Sequence, residues 1–200
     1  MRLLQVVTAA SVVFSATVAH GQNAVTDPSS CNLPHASGVS SQQLLSGQRQ
    51  RVYRLFVPPG YDGRLRLPLV LDLHGSGGSS ADQARNSGFE TLAARERFIV
   101  ATLDAEDARW NVPVQDNRAD DVAYVRDVIT HVAARVCTDD MRVYATGFSG
   151  GGRMTSLLGC QLGSRLAAIA PVSGLRFPGP CNGRPVPLLT FHGLADPQNT

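Results

Sequence analysis

The sequence predicts an α/β fold, a mostly parallel sheet with helices on both faces. Three observations carry that expectation. Short apolar runs at 68–74, 98–103 and 166–172 have the length and continuity of strands buried on both sides. Helical patterns separate them, the clearest at 119–136, where Val122, Val125, Val128, Ile129, Val132 and Val136 recur at helical spacing. Glycine-rich turns follow two of the strands directly, at 75–78 and 150–152. A chain of 200 residues fits one domain of this kind.

Taken in order, the chain opens on a leader. Arg2 supplies a positive start, residues 3–19 are apolar but broken by Gln5, Thr8, Ser11, Ser15 and Thr17, and Ala19-His20-Gly21 offers small residues for cleavage. The stretch is shorter and more polar than the ~20 apolar residues a membrane span needs. Residues 1–21 are therefore read as a signal peptide, cleaved after Gly21 or alternatively Ala19, and 22–200 as an exported domain, extracellular or periplasmic. Export makes two disulfides the expectation for Cys31, Cys137, Cys160 and Cys181, and three pairings are open. No C-x-x-C spacing or neighbouring His suggests zinc.

Residues 22–48, rich in Ser, Gly, Gln and Asn, read as an irregular lead-in. Alternation over 51–57 suits an outer strand, ended by Pro58-Pro59-Gly60. After the 68–74 strand, Ser79 or Ser80 caps a helix running to about Arg97 that Gly88 weakens or splits. The 98–103 strand leads into a loop over 104–118 with the only Trp, Trp110. Asp120 and Asp121 open the helix at 119–136, favourably for its dipole. A strand at 141–146, a helix at 150–160, a strand at 166–172 and a last strand at 187–191 complete the pattern. The net charge of +2, from 18 basic side chains (all Arg) against 16 acidic ones, leaves no nucleic-acid or membrane-surface footprint.

Three motifs carry chemistry. In Gly147-Phe148-Ser149-Gly150-Gly151, small flanks allow a tight strand-to-helix turn that lifts Ser149 above the sheet as a nucleophile and sets the Gly150 amide at a helix start to hold an oxyanion. The glycines lack phosphate-loop spacing. In His74-Gly75-Ser76-Gly77-Gly78, after an upstream strand, the amide of Ser76, with Gly77 as alternative, is the second oxyanion donor. His74 reads as a packing residue of that loop rather than a proton shuttle. In His192-Gly193-Leu194-Ala195-Asp196, a carboxylate in a turn after a strand stands where the acid of a Ser…Asp…His order belongs, so Asp196 is the candidate acid.

The segments LVLDLHGSGGS, RVYATGFSGGGRM, AAIAPVSG and LLTFHGLADP resemble the secreted α/β-hydrolase esterases of the feruloyl esterase and polyhydroxybutyrate depolymerase group. The resemblance implies an α/β-hydrolase fold, Ser149 as nucleophile, Asp196 as triad acid, and Trp110 and His74 near the substrate. It implies an acyl-enzyme route with no metal or organic cofactor, acting on feruloyl or acetyl esters of plant cell-wall polysaccharide. A polyhydroxyalkanoate depolymerase is the alternative enzyme, and a non-catalytic binding protein on the same fold the alternative of another class. No nucleic-acid or membrane partner is expected, and the sequence does not set an oligomeric state.

One part of the pattern is unmet. The base should follow the acid, yet only Pro197, Gln198, Asn199 and Thr200 follow Asp196, and His20, His35, His74, His131 and His192 all lie elsewhere. The reading is a domain missing its last strand or strands at the C-terminus, with the 187–191 strand left as an apolar edge. Loss of the His in a triad costs ~10⁶ in turnover, so a poor catalyst is expected from this chain as it stands.

Overall fold

The structure is a computed structural model and describes residues 31–176, 179, 181 and 184–199. The signal peptide lies outside the described residues. Six strands form one sheet: β1 (Gly38–Ser46), β2 (Arg49–Val57), β3 (Leu67–Leu73), β4 (Ile99–Leu103), β5 (Thr138–Phe148) and β6 (Ala168–Val172). Their order across the sheet is β1-β2-β4-β3-β5-β6. β4, β3, β5 and β6 run parallel, while β1 and β2 form an antiparallel flap on β4. β3 and β5, the strands that lead into the two glycine-rich turns, are adjacent, with Leu71 opposite Ala145 and Leu73 opposite Gly147. Adjacency of these two strands brings the turns together at one end of the sheet, where ligands bind in open α/β folds.

The helices follow the sequence closely. α1 (Ser80–Ser87) starts at Ser79, whose side chain accepts from the Asp82 amide. It stops at Gly88, which is left-handed (φ 66°) and passes the chain into α2 (Phe89–Glu96), so the expected helix is split where glycine makes a reversal cheap. α3 (Asp121–Ala133) is capped by Asp120, which accepts from the Ala123 amide. Asp121 is instead buried and ion-paired with Arg51 at 2.7 Å, and the Arg51 guanidinium lies 3.8 Å from the centre of the Tyr124 ring. α4 (Gly150–Gln161) begins at the turn that carries Ser149.

One face of the sheet holds the main core. Leu55, Leu69, Leu71, Ala101, Leu103, Val143 and Ala145 pack with Val125, Val128, Ile129 and Val132 of α3 and with Met154 and Leu158 of α4. The other face is thinner: Phe56, Val100 and Ala93 form its buried cluster, flanked by Phe89 and Phe98. Beyond α2 this face opens into a groove of about 380 Å³ bordered by Tyr144, Thr146, Ala168, Ala170 and Leu189.

Two expectations are corrected. Part of the supposed irregular lead-in is β1, joined to β2 by a two-residue turn at Gly47 and Gln48, both with positive φ (54° and 64°), the hairpin geometry that matches strand twist. The 187–191 segment runs parallel to β6 but meets it only at two bridges, Ile169 with Leu188 and Val172 with Phe191. Leu188, Leu189 and Phe191 are exposed, so the apolar edge foreseen for this segment is present. The disulfides left unassigned are Cys31–Cys137 and Cys160–Cys181, which tie the N-terminal approach to β5 and the end of α4 to the loop before residue 187. Among the described residues no helix is long and apolar enough to cross a membrane.

Candidate active site

Ser149 sits between the last residue of β5 and the first of α4 with φ 53° and ψ −112°, a conformation that L-residues avoid and that persists only where surrounding structure enforces it. The enforcement is visible. The Ser149 amide donates to Val172 O at 2.9 Å, and Arg153 N donates to Ser149 O at 3.0 Å. A side chain at Gly147 would meet the Gly151 carbonyl carbon at 2.6 Å and Leu73 O at 2.8 Å, and one at Gly151 would strike Leu73 O and His74 O. Small flanks are therefore required because β3, β5 and α4 converge on this turn.

The second glycine-rich turn lies against the first. A Cβ on Gly150 would come within 3.1 Å of Ser76 N and within 2.5 Å of Ser76 Oγ, and one on Gly75 would lie 3.6 Å from Ser149 Cβ. The candidate donors Gly150 and Ser76 are thus neighbours beside Ser149, the arrangement an oxyanion site needs. The alternative donor Gly77 is corrected: its amide already donates to Ala108 O at 2.8 Å.

The expectation that Trp110 and His74 touch substrate is also corrected. They are 4% and 1% exposed, too buried to form a substrate surface. Their work is beneath the loop. His74 Nε2 accepts from the Ala105 amide at 3.0 Å, its Nδ1 pairs with Gly75 O at 2.7 Å, and Trp110 Nε1 donates to His74 O at 2.8 Å. The far side of the loop is anchored by Asp104, whose carboxylate accepts from the Ser80 amide at 2.6 Å and Ser80 Oγ at 2.7 Å. Sequence reading missed Asp104, which looks like any acidic loop residue after a strand.

Asp72 was missed too. It points from β3 to the thinner face, is fully buried, and accepts from Gln83 Nε2 and Ser87 Oγ of α1, each at 2.7 Å. Burial pushes its carboxyl up to about 6, against the lowering effect of those two bonds. It borders a cavity of about 540 Å³ shared with Phe89, Phe148, Val172 and Phe191.

Asp196 lies in the turn that follows Phe191. That turn is linked to Ser149 through β6: Val172 O accepts from the Ser149 amide, and the Ser173 amide donates to Phe191 O at 2.8 Å. The Gln198 amide donates to the carboxylate at 2.9 Å, the Asn199 amide at 3.1 Å and Asn199 Nδ2 at 3.4 Å. These donors, the Gln198 amide foremost, hold the carboxyl below its ordinary range, helped by His192 Nε2 at 4.0 Å. Among the described residues no imidazole hydrogen-bonds to Ser149. His131 is engaged with the Tyr53 hydroxyl at 2.8 Å, and His35 with Ala36 O. No group of His, Cys, Asp and Glu suited to a metal occurs among the described residues.

The chain is 35% identical over 153 residues to feruloyl esterase B of Piromyces equi, covering 70% of this chain and 28% of the relative. It is 33% identical over 174 residues to a probable feruloyl esterase C of Aspergillus terreus, covering 81% of this chain and 62% of the relative. The chain thus spans less than two thirds of the length of the curated relatives it matches. A solved thermostable esterase superposes with a TM-score of 0.61 at 20% identity, over 80% of this chain and 48% of that one, and places the fold among the α/β-hydrolases. Residues 51–182, which hold most of β2, every element from β3 through β6 and both glycine-rich turns, match the family model described as Esterase PHB depolymerase, and the chain belongs to that family.

Proposed function

We propose that this chain carries the nucleophile, oxyanion and acid elements of a serine carboxylic-ester hydrolase. The observation that carries the reading is Ser149, held at φ 53° on a turn whose next residue, Gly150, abuts Ser76. Ser149 Oγ attacks the ester carbonyl carbon and its proton passes to an imidazole base. The Gly150 and Ser76 amides hold the negative oxygen of the tetrahedral intermediate. Collapse expels the alcohol, which takes the proton from the base, and leaves an acyl group on Ser149. Water, deprotonated by the same base, releases the acid and restores Ser149. Asp196 orients the imidazole and stabilises its charged form. None of the described histidines is bonded to Ser149, so the base is the component that this set of residues does not supply.

The relatives named feruloyl esterases, at 33% and 35% identity, favour feruloyl esters as substrate; plant cell-wall polysaccharide as the alcohol part follows from the resemblance of the sequence motifs. Two disulfides favour an exported protein.

Imidazole rescue tests the chemistry. The 200-residue chain is treated with a fluorophosphonate, and its methyl ferulate hydrolysis is followed with and without added imidazole, always against Ser149→Ala. Slow labelling confined to Ser149, and imidazole-stimulated hydrolysis absent from Ser149→Ala, are expected. Equal rates for the two chains would overturn the assignment. A hydroxybutyrate oligomer hydrolysed in preference to methyl ferulate would keep the mechanism and replace the substrate.

A further inference from the structure

The turn that carries Asp196 does not hold itself in place. It is fastened to the nucleophile helix by Arg153, one helical turn beyond Ser149. Arg153 donates through Nη2 to Asn199 Oδ1 at 2.6 Å, through Nε to the same oxygen at 3.0 Å, and through Nη2 to Gln198 O at 3.3 Å. Asn199 is 6% exposed, although it lies in a loop of mostly exposed residues. Its other side-chain atom, Nδ2, and its amide both face the Asp196 carboxylate. The chain of contacts is therefore continuous from Ser149 through Arg153 and Asn199 to Asp196.

We propose that Arg153 is a positioning residue for the candidate acid: by gripping Asn199 it fixes the donors that set Asp196 against Ser149. The proposal rests on the esterase reading for its catalytic meaning, though not for its geometry. Arginine suits this position because its planar fork engages one amide oxygen with two nitrogens while a second hydrogen reaches a backbone carbonyl. Lysine offers a single point charge and would not hold both. The backbone of Arg153 is itself anchored, since its amide donates to Ser149 O. Movement of the nucleophile turn and of the acid turn is thus linked through one side chain.

A charge effect of Arg153 on Asp196 is the competing explanation, and the two separate experimentally. Among the described residues the titratable group facing the Asp196 carboxyl is His192, from the same turn, at 4.0 Å. Arg153, from α4, reaches it through Asn199. Removing the grip releases Asn199 and should raise the carboxyl toward its ordinary range even where the positive charge is kept.

The experiment follows the Asp196 side-chain carbon by NMR as a function of pH in the whole chain, in Arg153→Lys, in Asn199→Ala and in the double variant. Near-UV circular dichroism confirms that each is folded. A rise in the Asp196 midpoint is expected in both single variants, with no further rise in the double one, because both act on the same link. A midpoint unchanged in Arg153→Lys would overturn the proposal, as would additive shifts. If Arg153→Lys does not fold, Arg153→Gln is put through the same cycle, with the same result expected. Imidazole-dependent labelling of Ser149 is measured alongside, and a loss of up to ~10²-fold is expected in Arg153→Lys, the scale on which a group displaced by about 1 Å acts. No labelling in the parent chain would sink the esterase reading and leave the titration to decide the positioning. Labelling with unmoved titration would sink the positioning alone.

Discussion

Leu71 and Asp72 are consecutive residues of one strand, and they face opposite sides of the sheet. Leu71 enters a core closed by α3 and α4, among Leu69, Leu73, Ala101 and Ala145. Asp72 is equally buried but meets α1 through two hydrogen bonds, next to an open cavity. The same backbone therefore supports two kinds of stability. Around Leu71 it comes from apolar area, with no charge on the side chain to titrate. Around Asp72 it depends on a carboxyl group whose charge the fold resists.

Three substitutions sharpen or break that contrast. Leu71→Ala should cost about 3 kcal/mol in urea unfolding, because a closed core relaxes little around a deleted side chain. A loss below about 1 kcal/mol would mean that the two faces are packed alike. Asp72→Asn should stabilise the protein by about 2 kcal/mol at pH 8, since the amide keeps an acceptor for Gln83 and a donor for Ser87 while removing a buried charge. The sign follows from the raised carboxyl: the folded state holds the proton up to about pH 6, whereas an unfolded Asp releases it near 3.8. The contribution of a neutral Asp72 is complete below the lower value and lost as pH rises through the upper one. Melts of the two proteins should therefore converge below about pH 4. A gap that does not depend on pH would show that Asp72 is not the group responsible. Leu189→Ala, at the exposed edge, should change stability by less than about 0.5 kcal/mol. A larger cost in dilute solution would reveal packing on that edge that its 60% exposure does not suggest.

The closed face was also the legible one. Continuous apolar runs fixed β3, β4 and β6 to within two residues, and a valine stripe fixed α3, because burial on both sides leaves its mark on every residue. Gly88 announced the break between α1 and α2. β1 was invisible because three inward positions, Ser40, Gln42 and Ser46, are polar and only Leu44 signals a core. Ser149, Gly150 and Ser76 could be named in advance, since backbone crowding demands glycine around them and glycine is conspicuous. Trp110 and His74 drew attention as unusual residues, but their burial under the loop depends on contacts with Ala105 and Gly75 that no local pattern encodes. Arg153, Asn199, Asp104 and Asp72 are ordinary residues whose meaning lies in partners distant along the chain. Arg153 and Asn199, for instance, are separated by 46 positions.

The backbone at Ser149 has a consequence for stability. At φ 53° a glycine would rest more comfortably than a serine. The serine side chain at that position therefore stands against the preference of its own backbone, a cost in stability that the proposed nucleophile role would have to offset.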